Sequence, residues 1–136
     1  MAAPALRPDP DAAVRVGLAV FGIYLVAISL FAAVAPGAFF DEIGPYGIQN
    51  DHYIHDVAAF QGAVGIFLLL AVRRPAWWVP ALAVATLQFA LHAVSHLVDI
   101  GDADPEWLGV AEAIALVLAT GVLAWLLWRA SRLAAA

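Results

Sequence analysis

Four stretches of the chain, residues 13–34, 52–72, 77–100 and 106–128, are long, apolar and nearly free of charge, and the segments between them collect Pro, Gly, Asp and Arg. At about 1.5 Å of rise per residue, each can cross a hydrocarbon core about 30 Å thick as a helix. The pattern predicts an all-α fold: a four-transmembrane-helix bundle, antiparallel up-down, forming one domain over residues 11–132. Residues 1–10, with three prolines and Arg7, read as a disordered cytoplasmic tail. Ala33-Val34-Ala35 has the small-x-small form of a signal-peptide cleavage site. The apolar run before it exceeds a 7–15 residue signal core and Pro36 follows directly, so the first span is expected to be retained.

Punctuation fits the same map. Pro36-Gly37 ends the first span, and Arg73-Arg74-Pro75 ends the second. Gly37 to Asp51 mixes aromatic, acidic and turn residues and reads as a loop in the headgroup region. Pro80 falls in the first turn of the third span, where a missing amide donor costs little. The turn Gly101 to Pro105 is short enough to impose a hairpin, with Asp104 as expected N-cap and Pro105 as the first helical residue of the fourth span.

Composition turns these runs into a membrane protein: 65% of the 136 residues are apolar and 12% charged, against about 45–50% and 25% in soluble domains. The arrangement of charge orients it. All six lysine-or-arginine positions are arginines; they precede or open the first span, lie between the second and third, and follow the fourth. The other two connections hold Asp41, Glu42, Asp51, Asp56, Asp99, Asp102, Asp104 and Glu106 without a basic residue. Because short arginine-bearing segments stay inside, the expected topology in the cell membrane is N-in and C-in, with two acidic loops outside. A net charge of −5 without lysine leaves no footprint for nucleic acid or anionic lipid. The lack of cysteine excludes disulfides and thiolate chemistry. Met1 is the one methionine, which disfavours a soft copper(I) site.

Trp77, Trp78, Trp125 and Trp128 fall at the inner boundary and Trp107 at the outer one, as interfacial anchors do. Ala59, Gly62, Ala63 and Ile66 form a stripe on the second span that is expected to allow close helix contact.

The informative polar set is His52, His55, Asp56, His92, His96, Asp99 and Glu112, which includes every histidine. At about 100° per residue, Gln88, His92, His96 and Asp99 share one stripe of the third span. His52, His55 and Asp56 share the outermost turn of the second, at the same level if the two helices are antiparallel. His92 lies roughly 12 Å below Ile100, and Glu112 roughly 9 Å below Glu106. Ionisable groups at such depth cost about 2.5–3.5 kcal/mol each, face the bundle interior and mark function. The bland alternatives are interfacial residues in contact with water and a structural His92–Glu112 pair joining two helices.

If a metal binds, imidazole and carboxylate donors suit zinc, iron or manganese, with His52, His55, Asp56, His92, His96, Asp99 and Glu112 as the candidate set. His55, His92 and His96 could instead hold a non-covalent haem. The Glu-x-x-His repeat of di-iron bundles is absent. Gln61, Gln88 and Tyr24 read as interhelical hydrogen bonds or as contacts to a quinone-like ligand. Ser95 and His96 are helix neighbours about 100° apart, which does not make a nucleophile–base pair.

The four spans, the sequence Ala35-Pro36-Gly37-Ala38-Phe39, the stretch Ala58-Ala59-Phe60-Gln61-Gly62-Ala63 and Arg73-Arg74-Pro75 together resemble the DoxX-like superfamily of small four-helix bacterial membrane proteins. Some members of that superfamily are similar to subunits of a thiosulfate–quinone oxidoreductase, which implies a redox-associated role. The histidine pairs are not part of that resemblance. The expectation is an integral membrane protein with an outward-facing His/carboxylate site for a metal ion or haem. The alternative is an accessory subunit without cofactor, in a homo-oligomer or larger membrane complex, whose polar residues serve helix packing. Proton-coupled transport ranks third, because no polar path continues inward past Gln61 and Gln88.

Overall fold

A computed structural model describes residues 11–135; the expected tail at residues 1–10 lies outside them. Five α-helices follow in order: α1 Ala12–Val34, α2 Pro36–Glu42, α3 Asp51–Ala71, α4 Trp78–Val98, preceded by a 3-10 turn Pro75–Trp77, and α5 Glu106–Ala134. No strand occurs among the described residues, and α1, α3, α4 (with its leading turn) and α5 are each long and apolar enough to cross a membrane.

One cluster contains Val14 and Leu18 from the start of α1, Leu68 and Ala71 from the end of α3, Trp78 and Leu82 from the start of α4, and Leu126 and Ala130 from the end of α5. The four long helices therefore alternate in direction, as expected. All of these side chains are buried, so one end of the bundle is solidly packed. Trp78 closes that end by donating its indole N–H to the Ala71 carbonyl at 3.0 Å. The Arg15 guanidinium lies 5.4 Å from the centre of the Trp78 ring. Trp78 is thus a core residue and not the interfacial anchor expected of it, whereas Trp77, Trp107, Trp125 and Trp128 are exposed.

Close approach of α1 and α3 comes from a different small-residue face than expected. Ala59, Ala63 and Ile66 are exposed, while Ala58, Gly62 and Gly65 face α1. A Cβ on Gly65 would sit 2.9 Å from Leu25 Cβ and from the Val26 nitrogen. The Ser29 hydroxyl donates to the Ala58 carbonyl at 2.7 Å, beside Gly62.

That short helix replaces part of the loop expected over Gly37 to Asp51. Pro36 stands in its first turn, where a proline lacks nothing the helix needs, and Ala35 (φ −137°, ψ 65°) separates it from α1. Phe39 packs edge to face on Phe31, with ring centres 5.9 Å apart, so α2 folds back over the bundle. Asn50 caps α3 by accepting from the His52 and Tyr53 amides. At α5 the expected cap shifts by one residue: Pro105 is extended (φ −78°, ψ 149°) and helix begins at Glu106. The Asp104 amide is engaged elsewhere, donating to the Pro45 carbonyl at 3.2 Å. α4 ends at Val98, not Ile100, and α5 runs to Ala134 instead of Trp128.

Candidate ligand cavity

Opposite the packed end, the helices enclose a cavity of about 490 Å³. Its walls are Val20, Phe21, Tyr24, Leu25 and Ile28 of α1, Val57 and Gln61 of α3, Gln88, Phe89, His92 and His96 of α4, and Glu112, Ala115, Leu116 and Ala119 of α5. Phe39, Ile43, Gly44 and Tyr46, from α2 and the loop after it, line the loop end of the cavity. Most of the lining is apolar, with Phe21 and Phe89 packed edge to face at 5.6 Å. Val20, Tyr24 and Ala115 are also exposed on the outside, Tyr24 by 53%, so the cavity has a mouth between α1 and α5. On membrane-spanning helices such a mouth faces lipid.

A chain of hydrogen bonds leads from this cavity to its loop end. His92 and His96, one turn apart on α4, meet Nε2 to Nε2 at 3.0 Å. His96 Nδ1 lies 3.0 Å from the Tyr46 hydroxyl and 3.4 Å from Glu112 Oε2. The Tyr46 hydroxyl donates to Glu112 Oε2 at 2.8 Å. His96 and Glu112 side chains are 16% and 19% exposed, so the pair is largely withdrawn from solvent.

Tyr46 owes its place to long-range backbone contacts. An isolated antiparallel bridge pairs it with Ala103, and the Pro45 carbonyl accepts the Asp104 amide, tying the α2–α3 loop to the α4–α5 loop. Gly47 at φ +66° turns the chain onward into α3. Gly109 lets the Ile100 carbonyl approach α5 more closely than a Cβ would allow. Burial raises the Tyr46 phenol well above its ordinary value near 10, helped by its bond to Glu112 and by the negative fields of Glu112 and Asp99. Tyr46 therefore stays a phenol through the physiological range.

The seven residues proposed from sequence divide into two groups. His92, His96 and Glu112 come together and line the cavity. His52, His55, Asp56 and Asp99 do not line it and are exposed. His52 pairs with Asp56 at 3.6 Å within the first turns of α3, both side chains mostly in solvent at 80% and 65%, and Asp99 caps the end of α4. Among the described residues no group of three or more His, Asp or Glu side chains is placed to hold a metal ion. Gln61, Gln88 and Tyr24, the weaker candidates, all line the cavity. Gln88 carries a telling atom: its Oε1 is shut off from solvent and accepts no hydrogen bond, a state that costs about 1–3 kcal/mol when unrelieved. Tyr46 escaped the sequence reading, since one tyrosine between Pro45 and Gly47 carries no periodic signal.

A family model described as a domain of unknown function (DUF4345) matches residues 13–102, which takes in Tyr46, Gln61, Gln88, His92 and His96. No curated protein and no solved structure matches the chain.

Proposed function

Since the chain belongs to the DUF4345 family, whose title assigns no activity, we propose its function from the cavity: it binds a lipid-soluble aromatic molecule bearing a hydroxyl group, of the quinol class. The observation that carries this reading is a largely apolar, aromatic-walled space with a few polar side chains, Gln61, Gln88 and His92, in its wall. Sites for small organic ligands have this character, an apolar wall with a few placed polar groups. A ligand hydroxyl would bond to a polar group of that wall while its ring packs against Phe21 and Phe89. The mouth between α1 and α5 suits a molecule arriving from the bilayer.

In this proposal the protein is a multi-pass protein of the cell membrane with both termini in the cytoplasm. The support is the strict alternation of arginine-bearing and acidic connections. The cavity then opens in the outer half of the bilayer. The resemblance to DoxX-like proteins, some similar to quinone oxidoreductase subunits, agrees with a redox-associated subunit that works beside other proteins.

The test is binding of short-chain ubiquinol to the full chain in mild detergent. Gln88→Leu and Ala115→Trp, which remove a polar group of the wall and narrow the mouth, should each weaken binding about tenfold or more, equivalent to about 1.4 kcal/mol. Equal affinity in all three proteins overturns the reading. So does stoichiometric zinc, iron, manganese or haem in the purified protein that disappears in a His92→Ala, His96→Ala variant; that result would assign the histidines to a metal or haem instead.

A further inference from the structure

We infer that His92, His96, Tyr46 and Glu112 form a directional proton relay from the cavity to the loop end of the bundle. The inference rests on the cavity being a ligand site, and the polarity of the relay follows from its terminal carboxylate.

The Tyr46 hydroxyl donates to Glu112 Oε2 at 2.8 Å, so its proton points at that oxygen. The Tyr46 oxygen then has a lone pair for its other neighbour, His96 Nδ1 at 3.0 Å. That nitrogen also lies 3.4 Å from Glu112 Oε2, and a bare lone pair there would be repelled by both oxygens. His96 therefore carries its proton on Nδ1. With a single N–H, on Nδ1, His96 has an acceptor at Nε2, and the 3.0 Å contact with His92 Nε2 then places a proton on His92. Every bond points the same way: His92 donates to His96, His96 to Tyr46, and Tyr46 to Glu112. The remaining nitrogen, His92 Nδ1, is left as a base on a ring that lines the cavity.

A proton entering at His92 Nδ1 can travel the whole chain. The ligand O–H bond breaks and an N–H bond forms at His92 Nδ1. The His92 Nε2 proton moves to His96 Nε2, the His96 Nδ1 proton to the Tyr46 oxygen, and the Tyr46 proton to Glu112. One proton leaves the ligand, one arrives on the carboxylate, and no electron moves. The chain is then reversed in polarity and passes no second proton until Glu112 has released the first and the Tyr46 hydroxyl and both imidazoles have returned to their starting protonation sites. Structural packing explains a hydrogen-bonded histidine and glutamate, but it does not require four groups with one sense of donation. Tyr46 is the positioning and conducting member.

Two measurements on the full chain in detergent test the inference. The first is nitrogen-15 imidazole spectroscopy of the ligand-free protein at neutral pH. It should find His92 protonated on Nε2 and His96 on Nδ1, with both assignments kept in Glu112→Gln, which still offers Tyr46 an acceptor. An Nε2-protonated His96, or an imidazolium at either position, overturns the relay whatever the cavity binds. The second is infrared difference spectroscopy on adding a hydrophobic 4-nitrophenol, which is more acidic than a quinol. A protonated-carboxyl band should appear in the wild type and be absent in both Glu112→Gln and Tyr46→Phe. A band that persists in Tyr46→Phe overturns the relay. Failure of the phenol to bind any of the three proteins counts against the ligand site, and the tautomers still decide the polarity.

Discussion

Replacing Gly65 by alanine tests the packing that holds the cavity in shape. A Cβ at this position would lie 2.9 Å from Leu25 Cβ, 2.9 Å from the Val26 nitrogen and 3.0 Å from the Gly22 carbonyl oxygen. Unstrained carbon contacts are about 3.5–4.0 Å, so α1 and α3 must part by roughly half an ångström or more. Two of the three atoms belong to the backbone and cannot turn aside. Overpacking of this kind costs about 1–3 kcal/mol, and the better helix propensity of alanine returns at most about 1 kcal/mol. The expected net loss is about 1 kcal/mol. Gly121 on α5 is the control, because a Cβ there meets nothing within 4 Å; Gly121→Ala should gain up to about 1 kcal/mol from propensity alone. The assay is the midpoint of unfolding by sodium dodecyl sulfate in mixed micelles, followed by helical circular dichroism. The two variants should shift in opposite directions. A Gly65→Ala protein as stable as the wild type, or parallel shifts in both, would refute the close contact. Leu25 is both a neighbour of Gly65 and part of the cavity wall, so the same variant should also weaken ubiquinol binding.

His52→Ala and His55→Ala, which alter exposed side chains away from the cavity, should change stability by no more than about 0.5 kcal/mol and leave ubiquinol affinity unchanged; a tenfold loss in either titration would return these residues to the site. Alkaline titration followed by phenolate absorbance should show Tyr46 ionising after an unperturbed tyrosine, since its folded pKa is raised. The sign is that the folded chain holds this proton more tightly than the unfolded one: the contribution to stability is complete below about pH 10 and is lost as pH rises toward the folded value. Tyr46→Phe should flatten that alkaline loss, and an unchanged pH profile would count against it. Trp78→Phe removes the buried donor to the Ala71 carbonyl and should cost about 1–3 kcal/mol in the unfolding assay; full stability would show that the bond adds nothing.

Much of the architecture was legible in the residue pattern because a bilayer leaves few choices. Twenty apolar residues in lipid must satisfy their backbone internally, so helix follows from composition, and proline and arginine mark the ends. The helix at Pro36–Glu42 was not legible: seven residues give too short a period, and the contact of Phe39 with Phe31 joins it to a neighbouring helix. The cap at Asp104 was not legible either: Pro105 is extended and the helix begins after it, while the Asp104 amide donates to Pro45, some sixty positions earlier. Of the polar set, helical spacing correctly joined His92 to His96, whose partnership is local. It grouped His52, His55 and Asp56 with them on depth alone, and depth does not say which way a helix face points.

What the sequence by itself determined is therefore what depends on near neighbours and on the surrounding solvent: four apolar helices, their alternating connections, and one turn of α4 bearing two histidines. What only the tertiary structure decided is which faces meet. Gly62 and Gly65, not Ala59 and Ala63, seat α3 on α1, and the loop bridge from Tyr46 to Ala103 carries a phenol to His96 and Glu112. The rotation of one helix against another, and the path of a loop, are set by side chains far apart in the chain. No local period encodes them.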